Sequence, residues 1–207
     1  MTGLSVNLKG RLNVSRETME RLEIFEALLG KWNTRINLVS RNSFDELWTR
    51  HIVDSAQVFQ AAPLGKKWVD LGSGGGFPGL IVAILALDQH PETVVTMIES
   101  DQRKAAFLRT AARETGVACQ VLSERIELAI PQQANTISAR ALADLSDLLV
   151  FSERHLANDG TALFPKGVTW KKELEAAQLR WRFDIDVIES WTMPGAAILK
   201  ITGAMRV

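Results

Sequence analysis

Two hydrophobic rhythms divide the chain near residue 64. Before that point apolar residues recur at helical spacing. Ser15 precedes a stretch that puts Met19, Leu22, Phe25 and Leu29 on one face, and Gly30 stands where a helix end is expected. Ser43 and Glu46 have capping-box spacing for a second helix through Leu47 and Trp48. A third helical run, 52–62, stops at Pro63. After residue 64, short apolar runs alternate with helical ones. The runs at 68–71, 94–99, 117–122, 136–138, 162–165, 185–190 and 197–201 read as strands, and 79–87, 102–115, 145–156 and 169–179 read as helices. Such alternation predicts an α/β fold with a mainly parallel sheet covered on both faces. The short connection between the last two strands predicts an antiparallel edge hairpin. The expected organisation is a helical extension over 1–64 and a Rossmann-like domain over 65–207.

Composition narrows the function classes. At 207 residues, with 46% hydrophobic and 23% charged residues, the chain reads as a soluble globular protein. The formal net charge of zero argues against a free-standing, non-specific nucleic-acid binder, but allows a local basic patch. The single cysteine, Cys119, excludes an internal disulfide and a cysteine-cluster metal site; no metal is expected. A reducing cytoplasm is the expected location. The first fifteen residues lack the apolar core of a signal peptide. The longest apolar run, "GLIVAILAL", is too short to span a bilayer, so no membrane partner is expected.

The candidate chemistry lies in "DLGSGGGFPGL", residues 70–80, with five glycines and one proline in eleven positions. This loop follows the first strand, and ligands of parallel sheets sit at the carboxyl ends of strands. Two readings compete. Gly74 to Gly79 fit the G-x-G-x-x-G spacing of a dinucleotide loop, a weak signal alone. Asp70 at the end of the first strand and Glu99 at the end of the second fit an S-adenosylmethionine (AdoMet) loop equally well, with Glu99 able to accept both ribose hydroxyls. Pro78 favours the second reading: it has no amide hydrogen, and a pyrophosphate wants several donors.

The motifs "WNTRINLVS" (32–40), "RHIVDS" (50–55), "DLGSGGGFPGL", "SERIE" (123–127), "SARA" (138–141) and "FPKG" (164–167) occur in that order. Together they resemble the RsmG family of 16S rRNA guanine-N7 methyltransferases, also called glucose-inhibited division protein B. The resemblance covers about residues 15 to 202. It implies a class I AdoMet-dependent methyltransferase fold. It also implies methylation of a guanine in 16S rRNA of the small ribosomal subunit, the one at position 527 of the bacterial molecule. The AdoMet contacts it implies are Gly72 and Phe77 in the loop, Ile126 and Glu127 beside the adenine, and Arg140 after the fourth strand; Gly74, from the loop itself, is a further cofactor candidate.

The residues bear on the reaction type independently. Exocyclic-amine methyltransferases often carry an N-P-P-aromatic motif after the fourth strand, where this chain has "SARA". Pyrimidine-carbon methyltransferases use a cysteine nucleophile, and Cys119 lies in an apparent buried strand. The N7 lone pair of guanine needs no deprotonation, so a site without an obvious base fits N7 chemistry. Arg140, at a strand end beside the cofactor loop, is the expected positioning residue. Arg50, His51 and Lys166 are the candidate RNA contacts, with Lys166 on an outer rim. His51 also reads as a packing residue, and Arg50 and Asp54 as an i,i+4 surface pair. Trp32 and Trp48 read as anchors of the helical extension. The basic-rich stretch 166–182 reads equally as a solvated face or an RNA contact. An NAD(P)-linked oxidoreductase and a non-catalytic RNA-binding or ribosome-assembly module remain the alternatives.

Overall fold

The computed structural model describes residues 12–40, 44–63 and 65–207. The first helix, α1 (Arg16–Asn33), starts where Ser15 Oγ accepts the Thr18 amide at 3.1 Å. It buries Leu22, Phe25 and Leu29. It does not stop at Gly30. The helix runs on to Asn33, and a Cβ at position 30 would lie 2.9 Å from the Phe44 ring. Gly30 therefore admits a neighbouring ring instead of ending the helix.

The two further helices expected before Pro63 are one continuous rod. A wide π-helical turn, Trp48–Val53, runs directly into α2 (Asp54–Ala61). No glycine or proline interrupts 48–61, and the buried Ile52 and Val53 carry the apolar face across the junction. Ser43, the expected cap, lies outside the described residues. Trp48 Nε1 donates to Glu26 Oε2 at 2.9 Å, tying this rod to α1.

Strands and helices then alternate: β1 (Lys67–Leu71), α3 (Gly79–Gln89), β2 (Val94–Ile98), α4 (Gln102–Thr115), β3 (Cys119–Leu122), β4 (Ala134–Ala139), α5 (Leu145–His155), β5 (Leu156–Lys166), α6 (Trp170–Gln178), β6 (Trp181–Glu189) and β7 (Ala197–Arg206). They form one seven-stranded sheet in the order β3-β2-β1-β4-β5-β7-β6. The pairs among β1 to β5 are parallel, and β7 runs antiparallel to both β5 and β6. The expected terminal hairpin forms, with β6 as the edge and β7 inside. The strand order reverses between β1 and β4, and a crevice opens there at the carboxyl ends of both strands.

Each face of the sheet carries its own core. One joins α3 and α4 to α1 and the π-helical turn through Leu80, Ile84, Phe107, Phe25 and Ile52. The other packs α5 and α6 through Leu145, Leu149, Ala177 and Trp181. The N-terminal helices thus complete the core of the sheet and have no separate one among the described residues. Trp32 packs against Phe107 of α4 with ring centroids 5.7 Å apart. No helix among the described residues is long and apolar enough to cross a membrane.

Candidate active site

The glycine loop after β1 holds itself together with its own amides. The Gly72 and Ser73 amides donate to the Ile98 carbonyl on β2, at 2.8 and 3.2 Å. Those of Gly76 and Phe77 donate to the Ser73 carbonyl. Gly74 donates to Glu99 Oε2 at 2.8 Å, and Gly79 to Asp70 Oδ2 at 3.1 Å. Pro78 has no amide hydrogen. A pyrophosphate seated on this turn would find these donors occupied, which disfavours the dinucleotide reading. Gly72 has φ +65, where a side chain is strained, and a Cβ there would lie 2.6 Å from Leu142 Cδ1.

Asp70 does not line the crevice. It is fully buried under the loop, with Oδ2 on the Gly79 amide and Oδ1 on the Ser138 hydroxyl at 2.7 Å. Burial pushes its carboxyl up to about 6. A Cβ at Gly79 would lie 2.7 Å from Asp70, so the glycine lets the start of α3 sit on the carboxylate. Asp70 acts on the crevice through the backbone it holds.

Above the loop lies a cleft of about 440 Å³, and most of the sequence-derived candidates meet in it. Gly72, Gly74, Phe77, Glu99, Ile126, Glu127, His51 and Arg140 all line it. Glu99 Oε1 accepts the Asp101 amide at 2.8 Å while Oε2 holds Gly74. A carboxylate has about four acceptor positions, so both oxygens keep capacity for ribose hydroxyls. Asp101, not Glu99, caps α4, accepting from the Arg103 and Lys104 amides.

Sequence reasoning missed three supports of this cleft. Leu38 and Val39 close one side, held by Asn33 Oδ1, which accepts both their amides at 2.9 and 3.0 Å. Their carbonyl path crosses the loop so closely that a Cβ at Gly75 would lie 3.1 Å from the Leu38 oxygen. Beside Ile126, His155 Nε2 bonds the Ile126 carbonyl at 2.9 Å, and Arg154 donates twice to the Ala129 carbonyl. The adjacent pair "RH" at 154–155 was visible in the sequence, but its carbonyl targets were not.

A second cavity, also about 440 Å³, adjoins the first. His51 and Arg140 line both. The Arg140 guanidinium donates to the Arg50 carbonyl at 2.9 Å, meets His51 Nδ1 at 2.5 Å and stands 5.2 Å from the centre of the Phe77 ring. His51 stacks on that ring with centroids 4.9 Å apart. Ala141 follows at φ +54, a strained turn for a side-chain-bearing residue that fixes where Arg140 leaves the backbone. Burial lowers Arg140 to about 10, which leaves it cationic at neutral pH. Burial and the neighbouring Arg140 and Arg50 lower His51 to about 3. His51 is thus a neutral imidazole that accepts from Arg140 at Nδ1. Its Nε2 is buried without a partner among the described residues. It cannot serve as a cationic phosphate contact near neutral pH.

The remaining RNA candidates sit differently from expectation. Arg50 lines the second cavity but pairs with Glu46 at 3.2 Å, not with Asp54. Asp54 turns instead to the Thr192 hydroxyl. Lys166 is not on an outer rim. Its side chain is 8% exposed, and Nζ donates to Glu173 Oε2 and the Ala143 carbonyl, both at 2.7 Å. Glu173 also accepts the Leu145 amide at the start of α5. The β5 end and the first turn of α6 therefore pin the 140–145 loop that carries Arg140. Cys119 lies in β3, and burial raises its thiol to about 11, far from a nucleophilic thiolate.

A family model described as rRNA small subunit methyltransferase G (GidB) matches residues 18–196. The chain belongs to this family. A Ruegeria pomeroyi relative named ribosomal RNA small subunit methyltransferase G is 64% identical over 196 residues, covering 95% of this chain and 96% of the relative. Among solved structures, a methyltransferase from Geobacter sulfurreducens matches with TM-score 0.59 at 14% identity, over 96% of this chain and 94% of the other. A TehB-like SAM-dependent methyltransferase from Corynebacterium glutamicum matches with TM-score 0.58 at 19% identity, over 85% and 98% of the two chains. At such identities these two bear on the fold, which is that of the Rossmann-like methyltransferases. The first cleft fits the cofactor of this family: a glycine floor where side chains are strained, a free-edged carboxylate in Glu99, and an apolar wall in Ile126 and Phe77.

Proposed function

We propose that the protein transfers the methyl group of AdoMet to N7 of a guanine in 16S rRNA. The cofactor occupies the glycine-loop cleft, and the target nucleotide enters the adjoining cavity. The observation that carries this reading is the wall of His51 and Arg140 shared by two cavities of nucleoside size, backed on the glycine-loop side by the Phe77 ring.

Bound AdoMet supplies an electrophilic methyl whose C–S electron pair returns to sulfur as the N7–C bond forms. No proton leaves N7, and the protein's groups agree with that. His51 is neutral, and its Nδ1 lone pair is already engaged by Arg140. The wall therefore works by placement. Glu99 holds the ribose side, Ile126 and Glu127 flank the adenine, and Arg140 stands between cofactor and base with N–H groups left over after its two bonds. Holding reactants in line this way can lower a barrier by about 7–11 kcal/mol in favourable cases. The substrate is ribosomal RNA or the small-subunit particle, which places the work in the cytoplasm.

Mass mapping of 16S RNA tests the reading, with free RNA and small subunits each incubated with protein and AdoMet. The expected product is one 7-methylguanine, formed with at least one of the two substrates. Transfer to another atom, or cofactor binding without any transfer, would overturn it.

A further inference from the structure

The second cavity contains a carboxylate that nothing above requires. Asp54, the first residue of α2, lines it from the side of the N-terminal rod. Its Oδ1 accepts the Thr192 hydroxyl from the loop between β6 and β7. Its Oδ2 makes no hydrogen bond among the described residues, and it is not sealed away from the cavity. The helical neighbour that could neutralise it, Arg50, is turned to Glu46. Burial raises the carboxyl's pKa, against the pull of Thr192, Arg140 and Arg50. A half-satisfied carboxylate in a cavity is costly unless a ligand completes it.

The surroundings look built to hold that carboxylate. Gln57, one turn further along α2 and 2% exposed, donates to the Glu189 carbonyl at 2.6 Å and accepts the Trp191 amide at 2.9 Å. Ser190 Oγ accepts the Thr192 and Met193 amides. The 189–193 segment is thus clamped to α2 at two adjacent points, which fixes Thr192 and through it the plane of Asp54.

Resting on the proposed function, we infer that Asp54 reads the Watson–Crick edge of the target guanine, its carboxylate accepting N1–H and the 2-amino group. These two donors lie on the side of the purine away from N7. A base that presents N7 to the Arg140 wall turns that edge into the body of the second cavity. Guanine alone among the four bases places two adjacent donors there. Adenine offers a ring nitrogen acceptor instead and would leave two lone pairs opposed. A site built to accept a hydrogen bond discriminates strongly against a base that cannot donate it. The carboxylate also faces charge that develops in the reaction. Methylation at N7 passes the positive charge of the sulfonium to the purine ring, and an anion bonded to N1–H and the amino group is already oriented towards it.

Single-turnover transfer, with AdoMet saturating, tests this on RNA carrying either guanine or inosine at the target position. Inosine keeps N1–H and lacks the 2-amino group. Wild type is expected to transfer to inosine about ten- to a hundredfold more slowly, the range for one hydrogen bond to a charged group. In Asp54→Ala the guanine rate falls and the guanine-to-inosine ratio collapses to within about threefold. Asp54→Asn, which can keep the Thr192 bond, checks the same ratio if the alanine variant melts early. If Asp54 merely clamps the 189–193 segment, either variant slows both substrates equally and keeps the wild-type ratio, and the inference is wrong. A wild type that does not distinguish inosine also overturns it while leaving N7 transfer intact. Failure of wild type to methylate guanine N7 defeats the proposed function itself, and the inference with it.

Discussion

The two cavities share a wall yet are made in opposite ways. The proposed cofactor cleft is floored by one stretch of chain, 72–77, with 98–100 and 124–127 closing on it after the next two strands and Leu38 and Val39 covering one side. The second cavity is assembled from distant pieces: Arg140 reaches the Arg50 carbonyl across 90 positions, Gln57 meets Trp191 across 134, and Asp54 meets Thr192 across 138. The first is a rigid turn stabilised by its own amides. The second depends on two elements, the N-terminal rod and the β6–β7 loop, closing over the sheet. Changes in the first should therefore strike cofactor affinity, and changes in the second should strike turnover and base choice.

The largest expected effect tests the first half of that contrast. Gly72→Val should abolish measurable AdoHcy binding by calorimetry. A β-branched residue at φ +65 is strained by about 1–2 kcal/mol, and its Cβ would push Leu142 from a position 2.6 Å away. Near-normal affinity with a native melt would break the assignment of the loop. A smaller effect follows at Glu99. Glu99→Ala removes both the clamp on Gly74 and the proposed ribose acceptor, and should weaken AdoHcy by about 1.5–3 kcal/mol. An unchanged dissociation constant would mean that the loop keeps its shape without the clamp and that the ribose is held elsewhere.

The smallest effect concerns the shared wall. His51 is held at about 3 in the folded protein, below its unfolded value of 6.5. The unfolded chain therefore takes up the proton first as pH falls. The stabilisation is complete above pH 6.5 and is lost on acidification, by on the order of 1 kcal/mol at pH 5.5. Denaturant melts of wild type and His51→Gln at pH 7.5 and 5.5 should show the variant losing less over that interval. Equal losses would mean that His51 is not the neutral partner of Arg140.

The contrast between the cavities also explains what the sequence could reveal. Strand–helix alternation marked every strand of the sheet, because buried parallel strands are short continuous apolar runs. The glycine loop was legible because its residues are contiguous. The errors fall where a local pattern meets a distant partner. Gly30 has the look of a helix end, but its missing side chain makes room for Phe44. Arg50 and Asp54 have helical pair spacing, but Glu46 takes the arginine and the distant Thr192 takes the aspartate. Lys166 stands at a strand end, where an outer cation was expected, until Glu173 from the next helix turns it inward. Asp70 was expected at the cofactor and is buried under the glycine loop, because Gly79 brings α3 down onto its carboxylate. Thr192 and Gln57 belong to no motif and emerge only from the folded chain.

The proposed function requires Arg140 to align base and cofactor at the common wall, and removal of its side chain probes that alignment. Arg140→Ala is compared with wild type in single-turnover methylation of small subunits or their RNA, with AdoMet saturating and AdoHcy affinity measured alongside. The wall predicts a rate loss of about a hundredfold or more, the scale of a misplaced reactant, with AdoHcy affinity changed much less. Transfer at the wild-type rate would show that Arg140 only caps a strand end, and that the two cavities do not meet at the reacting atoms.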